Sequence, residues 1–111
     1  MPGERRQEKL SALLREEVAR IVSRTIIFPE GALVTITRAQ LSSDGYYATI
    51  LLSVIQAEEK LILEILHEEI YTIQRELNRR LRMRPVPKIR FSIDKEEERR
   101  EAVERSLNSL Q

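Results

Sequence analysis

Leu10, Leu13, Leu14, Val18, Ile21 and Val22 recur at steps of three, one, four, three and one, which gathers them on one face of a helix running from Glu4 to Arg24. The opposite face holds Arg5, Arg6, Lys9, Arg15, Glu16 and Arg20, with Glu16 and Arg20 at the supportive four-residue spacing. The β-branched pair Ile26-Ile27, followed by Pro29 and Gly31, predicts that this helix stops before Phe28. Leu33 to Leu41 is rich in β-branched residues and free of proline, so it reads as a strand. Ser42-Ser43-Asp44-Gly45 supplies a turn. From Tyr46 to Ile55 a second strand places Ala48, Ile50, Leu52 and Val54 on one face, with Tyr47, Thr49 and Ser53 softening the other. The two strands predict a β-hairpin with one buried side.

Between Ala57 and Leu81 the positions Ile62, Ile65, Leu66, Ile70, Ile73, Leu77 and Leu81 keep helical spacing, which predicts one long helix of about 37 Å. Pro85 and Pro87 forbid its continuation, the first by removing a donor and the second by biasing Val86 to extended geometry. Ile89, Phe91 and Ile93 then alternate with Lys88, Arg90 and Ser92, a third strand that is apolar on one side and basic on the other. Past Asp94, Val103, Leu107 and Leu110 offer a thin seam that suits either a short helix or a frayed, charged tail. Helix, strand, strand, helix, strand and a short helix define an α+β domain: a three-stranded sheet with its helices on one face. Residues 1–95 are expected to form the domain and residues 96–111 a charged C-terminal tail or short helix.

A chain of 111 residues that is 41% apolar and 33% charged is expected to fold around one small core. It has no cysteine, so thiolate metal sites, disulfides and cysteine nucleophiles are excluded. His67 is the only histidine and has no neighbour with which to hold a metal. Three glycines cannot build a phosphate-cradling loop, and the many glutamates fall on solvated helix faces. No catalytic residue, metal, cofactor or small-molecule substrate is therefore expected. The apolar runs are far too short for a membrane span, and the N-terminus leads into an amphipathic helix in place of a secretory signal, so a cytoplasmic protein is expected.

Net charge is only +1, yet its distribution is uneven. Residues 74 to 90 hold Arg75, Arg79, Arg80, Arg82, Arg84, Lys88 and Arg90 against the single acid Glu76, a local charge of +6. The preceding stretch, 56 to 73, sets Lys60 against five glutamates. A basic block of this kind neutralises phosphates locally whatever the overall charge. Arg75, Arg79 and Arg82 fall on one helical stripe with Arg80 beside it, while Arg84, Lys88 and Arg90 extend the surface to the third strand. Arg5, Arg6 and Lys9 provide a second patch on the first helix. Only five aromatic residues are present, which favours recognition of phosphates and shape over base stacking on a sheet. The arginines also suit a blander role, balancing nearby glutamates and the C-terminal end of the helix. A different reading makes the long amphipathic helix a protein-docking surface with RNA irrelevant, and a cryptic acidic enzyme site is a third.

Val34-Thr35-Ile36-Thr37, Leu41-Ser42-Ser43-Asp44, Tyr47-Ala48-Thr49-Ile50 and above all Leu81-Arg82-Met83-Arg84-Pro85-Val86-Pro87-Lys88-Ile89-Arg90-Phe91-Ser92-Ile93-Asp94 resemble the ribosome-binding factor A family of bacteria. Together with the Arg-rich opening helix, the resemblance covers about residues 4 to 107. It implies a type II KH-like fold, with a helix pair between the second and third strands. It also implies a non-enzymatic, monomeric factor that binds the small ribosomal subunit and its 16S-type ribosomal RNA in late assembly, aids processing of that RNA and is associated with growth in the cold. The family's helix pair is kinked at an Ala-x-Gly, whereas Glu69-Ile70-Tyr71 stands here, so either the helix runs through or another residue bends it. The family's Asp-Pro-Arg after the first helix is Phe28-Pro29-Glu30, with one charge reversed.

Overall fold

The computed structural model describes the backbone of residues 2–109 and the side chains of residues 5–108. Helix α1 (Pro2–Thr25) leads into the hairpin β1 (Leu33–Leu41) and β2 (Tyr47–Ile55), then α2 (Glu59–Glu68), α3 (Ile70–Arg80), β3 (Lys88–Ile93) and α4 (Lys95–Ser109). The sheet order is β1-β2-β3, antiparallel between β1 and β2 and parallel between β2 and β3. A parallel pair cannot be joined by a tight turn, and α2 with α3 forms the crossover.

The apolar periodicities become the core. Leu14, Val18, Ile21 and Val22 of α1 meet Ala48, Ile50 and Leu52 of β2, Ile89 and Ile93 of β3, and Ile62, Leu66, Ile73 and Leu77 of the helix pair. Leu14, Ile50, Leu52, Ile62, Leu66, Ile73 and Leu77 are fully buried, each worth roughly 1.5–3 kcal/mol relative to exposure. Gly45 closes the hairpin turn at φ 79°, a conformation open to glycine without steric cost, and its N–H donates to Ser42 O at 3.0 Å.

Two expectations need correction. The single long helix is broken at Glu69, which sits at φ −99°, ψ 9°, and shares its N–H between the carbonyls of Ile65 and Leu66 at 3.3 and 3.2 Å. Neither glycine nor proline causes the break. The two halves pack on different neighbours, α2 along β3 and α3 against α1 as well as β3, and the chain changes direction between them. Arg20 pairs with Glu17 at 3.0 Å, not with Glu16.

The β1 strand is also interrupted. Its register with β2 shifts between Ile36 and Arg38, leaving Thr37 as an extra residue. The bulge switches the inward positions from Val34 and Ile36 to Ala39 and Leu41. It also aims Thr37 and Arg38 at Asp94, the one buried charged residue among those described, 4% exposed. Thr37 Oγ1 donates to Asp94 Oδ2 at 2.6 Å and Arg38 Nε at 3.2 Å, while Asp94 Oδ1 accepts the N–H groups of Glu96 and Glu97 at 3.1 and 3.2 Å. Asp94 thus caps α4 and anchors it to the bulge. Burial alone would raise its pKa, but the Thr37 hydroxyl, the Glu97 N–H and Arg38 together hold it below its ordinary value of 3.8. Beyond this anchor α4 is helical but largely exposed, with Val103 and Leu107 among the exposed side chains. Leu110, the last residue of the expected seam, lies outside the described residues.

Asp94→Ala is expected to lower the unfolding free energy by about 1–2 kcal/mol in urea titration at neutral pH, with loss of helical circular dichroism from α4. Asp94→Asn, which keeps a capping oxygen, is expected to cost less. Because the folded-state pKa lies below the unfolded one, the carboxylate's contribution is complete above the ordinary pKa. It is lost as pH falls through the lower native value, so the wild type's advantage over Asp94→Asn should vanish in acid.

Candidate nucleic-acid interface

The basic residues surround the corner where α3 ends and β3 begins. Helix α3 stops at Arg80, because Leu81 turns to extended geometry at φ −88°, ψ 138° and buries its side chain. Arg75 and Arg79 therefore share the expected stripe, but Arg82 lies past the helix end, in the loop that contains the cis Arg84–Pro85 peptide. Arg84 turns back on the helix: Nη1 donates to Leu81 O and Met83 O, both at 2.8 Å. It serves the carbonyls of the C-cap residue Leu81 and of the loop residue Met83.

The acidic neighbours claim part of the block. Arg79 contacts Glu76 at 3.4 Å within the helix, an exposed pair of small energetic weight. Arg80 contacts Glu17 of α1 at 3.5 Å, and Glu17 also receives Arg20, so this pair fastens α3 to α1. Arg90 Nε donates to Thr49 Oγ1 across the sheet at 3.0 Å. Arg75, Arg82 and Lys88 are exposed and form no salt bridge among the described residues. Arg5, Arg6 and Lys9 are exposed on the first turns of α1.

Gln74 holds this corner together. Its Nε2 donates to Pro87 O at 3.0 Å and its Oε1 accepts the Ile89 N–H at 3.0 Å, so one amide side chain pairs with the start of β3 as a neighbouring strand would. The same Nε2 lies 3.2 Å from Asn78 Oδ1. Nothing in the local pattern marks Gln74, since its partners lie 13 and 15 residues away. Nor does it mark the placement of Tyr46 and Tyr47, which are 56% and 59% exposed beside Lys88. With Gln74, Asn78 and Val86 they line a notch of about 490 Å³.

A second groove, of about 910 Å³, runs between α2 and the open edge of β3, and its far end reaches the break at Glu69 through Glu68 and Ile70. Its α2 wall bears Glu59, Glu64 and Glu68. Burial, with a hydrogen bond to Glu98 and the charge of Glu98, raises the Glu59 pKa, the mark of crowded acids. The positive surface lies instead at the α3–β3 corner. Among the described residues no group of three or more histidine or acidic side chains is placed to hold a metal, and no helix is long and apolar enough to cross a membrane.

A mixed three-stranded sheet backed by α1, with a broken helix pair as its parallel crossover, is the αββααβ arrangement of the type II KH-like class. Within that class the chain belongs to the ribosome-binding factor A family, whose model matches residues 6–107. Ribosome-binding factor A of Dictyoglomus thermophilum is 38% identical over 108 residues, spanning 95% of this chain and 90% of that protein. The crystal structure of ribosome-binding factor A from Thermus thermophilus superposes with a TM-score of 0.70 at 25% identity, covering 78% of this chain and 94% of that one. A homology model of the Thermus thermophilus factor, fitted into the cryo-EM map of a 30S–RbfA complex, gives a TM-score of 0.64 at 27% identity, covering 74% and 88%.

Gln74→Ala should cost about 1–2 kcal/mol, because it strands the Pro87 carbonyl and the Ile89 N–H at a half-buried site. Hydrogen exchange of the Ile89 amide should accelerate, while that of Ile50, in the centre of β2, should change only by the global loss.

Proposed function

We propose that this protein is a non-enzymatic assembly factor that binds the immature small ribosomal subunit in the cytoplasm, through phosphates of its ribosomal RNA. Residues 1–95 form the binding unit and residues 96–111 an appendage. The observation that carries the reading is the set of exposed cations Arg75, Arg82 and Lys88, which form no salt bridge among the described residues. Family membership supports the choice of partner, since a homology model of a relative was fitted into the map of a 30S complex.

Arg79 and Arg90 border the corner and add to its potential, while Arg80 and Arg84 are already engaged and support the fold that presents it. Arg5, Arg6 and Lys9 form a separate patch. The factor favours one arrangement of the subunit by binding it more tightly than the mature one and leaves once that difference is gone. Aiding RNA processing follows from holding that arrangement, with no bond broken by the protein itself. Docking of a partner protein on the apolar faces of α2 and α3 is disfavoured, because Ile62, Leu66, Ile73 and Leu77 spend those faces in the core.

Cosedimentation with immature and mature small subunits tests the reading. Arg75→Glu, Arg82→Glu and Lys88→Glu combined should abolish recovery with immature subunits and leave the thermal melt unchanged. Wild-type affinity for small-subunit RNA should fall steeply with salt, and the variant's slope of log K against log salt should be shallower by about 0.7–0.9 for each phosphate it no longer neutralises. Equal recovery of the two proteins would overturn the proposal.

A further inference from the structure

The groove between α2 and the free edge of β3 has no part in the phosphate surface. We propose that it accepts an extended peptide of another protein as a fourth strand beside β3, one that carries lysine or arginine at alternate positions. The inference stands apart from the RNA-binding reading, since it rests on backbone groups and glutamates in place of exposed cations.

The ladder decides which backbone groups are on offer. The Lys88 N–H donates to Tyr46 O at 2.8 Å and, just past the end of the strand, the Asp94 N–H donates to Leu52 O at 2.7 Å. Even-numbered residues therefore spend their backbone groups on β2, and Ile89, Phe91 and Ile93 turn theirs to the outer edge. Gln74 already answers the first of these, its Oε1 accepting the Ile89 N–H at 3.0 Å. The Ile89 carbonyl, both backbone groups of Phe91 and the Ile93 N–H are left facing the groove, which residues 89–93 line without a gap. An added strand gains its affinity from such main-chain groups, and the side chains beside them choose the partner.

The α2 wall makes that choice. Leu63, Ile70 and Phe91 give the groove an apolar lining, and exposed Glu64 and Glu68 stand one helical turn apart on its rim. Neither glutamate forms a salt bridge among the described residues. Of the cations in the groove, Lys95 contacts Glu98 at 3.4 Å, Arg90 donates to Thr49, and Lys60 lies one turn before Glu64. A long cationic side chain satisfies both surfaces, with its methylene stem on Leu63 and Phe91 and its charged head at Glu64 or Glu68. The intervening residues of the peptide would share the opposite sheet face with Arg90 and Ser92, which suits small uncharged side chains such as threonine. Phosphate is repelled by the acidic rim, so RNA is the poorer occupant. A second copy of this chain is poorer too, because pairing two β3 edges sets each acidic rim and each row of Lys88 and Arg90 beside its like.

The test uses the full chain and a labelled peptide of alternating threonine and arginine, read by fluorescence anisotropy at low salt and by hydrogen exchange of single amides. In the free protein the Phe91 amide should exchange faster than those of Arg90 and Ser92, and the peptide should slow it selectively. Two further peptides carry N-methyl groups, one at every threonine and one at every arginine. A strand bonds along one edge only, so one of the two should bind like the parent and the other should lose about ten-fold or more. Glu64→Lys combined with Glu68→Lys should weaken parent binding on the order of ten-fold and leave the thermal melt unchanged. The combined Arg75→Glu, Arg82→Glu and Lys88→Glu variant should not weaken it. The proposal falls if the parent peptide does not bind, if the two methylated peptides behave alike, or if the double glutamate variant binds undiminished. Protection of the Phe91 amide by a single-stranded oligoribonucleotide or by raised protein concentration, with none from the peptide, hands the groove to RNA or to a second copy and also overturns it. None of these results touches the phosphate surface, which cosedimentation decides.

Discussion

The parallel pairing of β2 with β3 is the constraint from which the rest of the architecture follows. Parallel neighbours require the chain to travel the full length of the sheet before it re-enters, and here that return is made by α2 and α3. The crossover covers the inner face and supplies four fully buried residues, Ile62, Leu66, Ile73 and Leu77. It also leads from the arginine-rich end of α3 through a short loop to the first residue of β3. The hairpin turn arrives at the same corner because Tyr47 is paired with Lys88. Basic and exposed aromatic residues are thus brought to neighbouring positions by strand direction.

Most of the framework is legible in local pattern. The faces formed by Leu14, Val18, Ile21 and Val22, by Ala48, Ile50 and Leu52, and by Ile89 and Ile93 are the faces that pack. Periods of 3.6 and 2 carry that information directly. The break at Glu69 is not legible from period, since the apolar spacing runs through it without a phase change; family likeness alone points to a helix pair. The Thr37 bulge is hidden because β-branched residues suit both sides of a strand, and only pairing with β2 counts the extra residue. Asp94 reads as a strand terminator, yet its partners Thr37 and Arg38 lie 57 and 56 residues away.

The candidate site shows the same division. That residues 74 to 90 are basic is a fact of sequence; which cations are available is a fact of packing. Arg80 is committed to Glu17 on another helix, and Arg84 to the carbonyls of Leu81 and Met83 just past the end of α3. Arg75, Arg82 and Lys88 stay open, a subset no spacing rule selects.

The outer edge of β3 bears on solubility as well. A strand with one unpaired side offers its backbone to any passing strand, and such edges are protected in natural sheets by lysine, arginine and proline. Pro85 and Pro87 precede β3, Lys88 and Arg90 stand along it, and the acidic wall of α2 flanks it. Lys88 and Arg90 therefore stand as a guard against self-association through sheet extension, whatever else they contact. Selection for solubility and selection for ligand press on the same few positions, so a chain evolving away from its partner would still have reason to keep them.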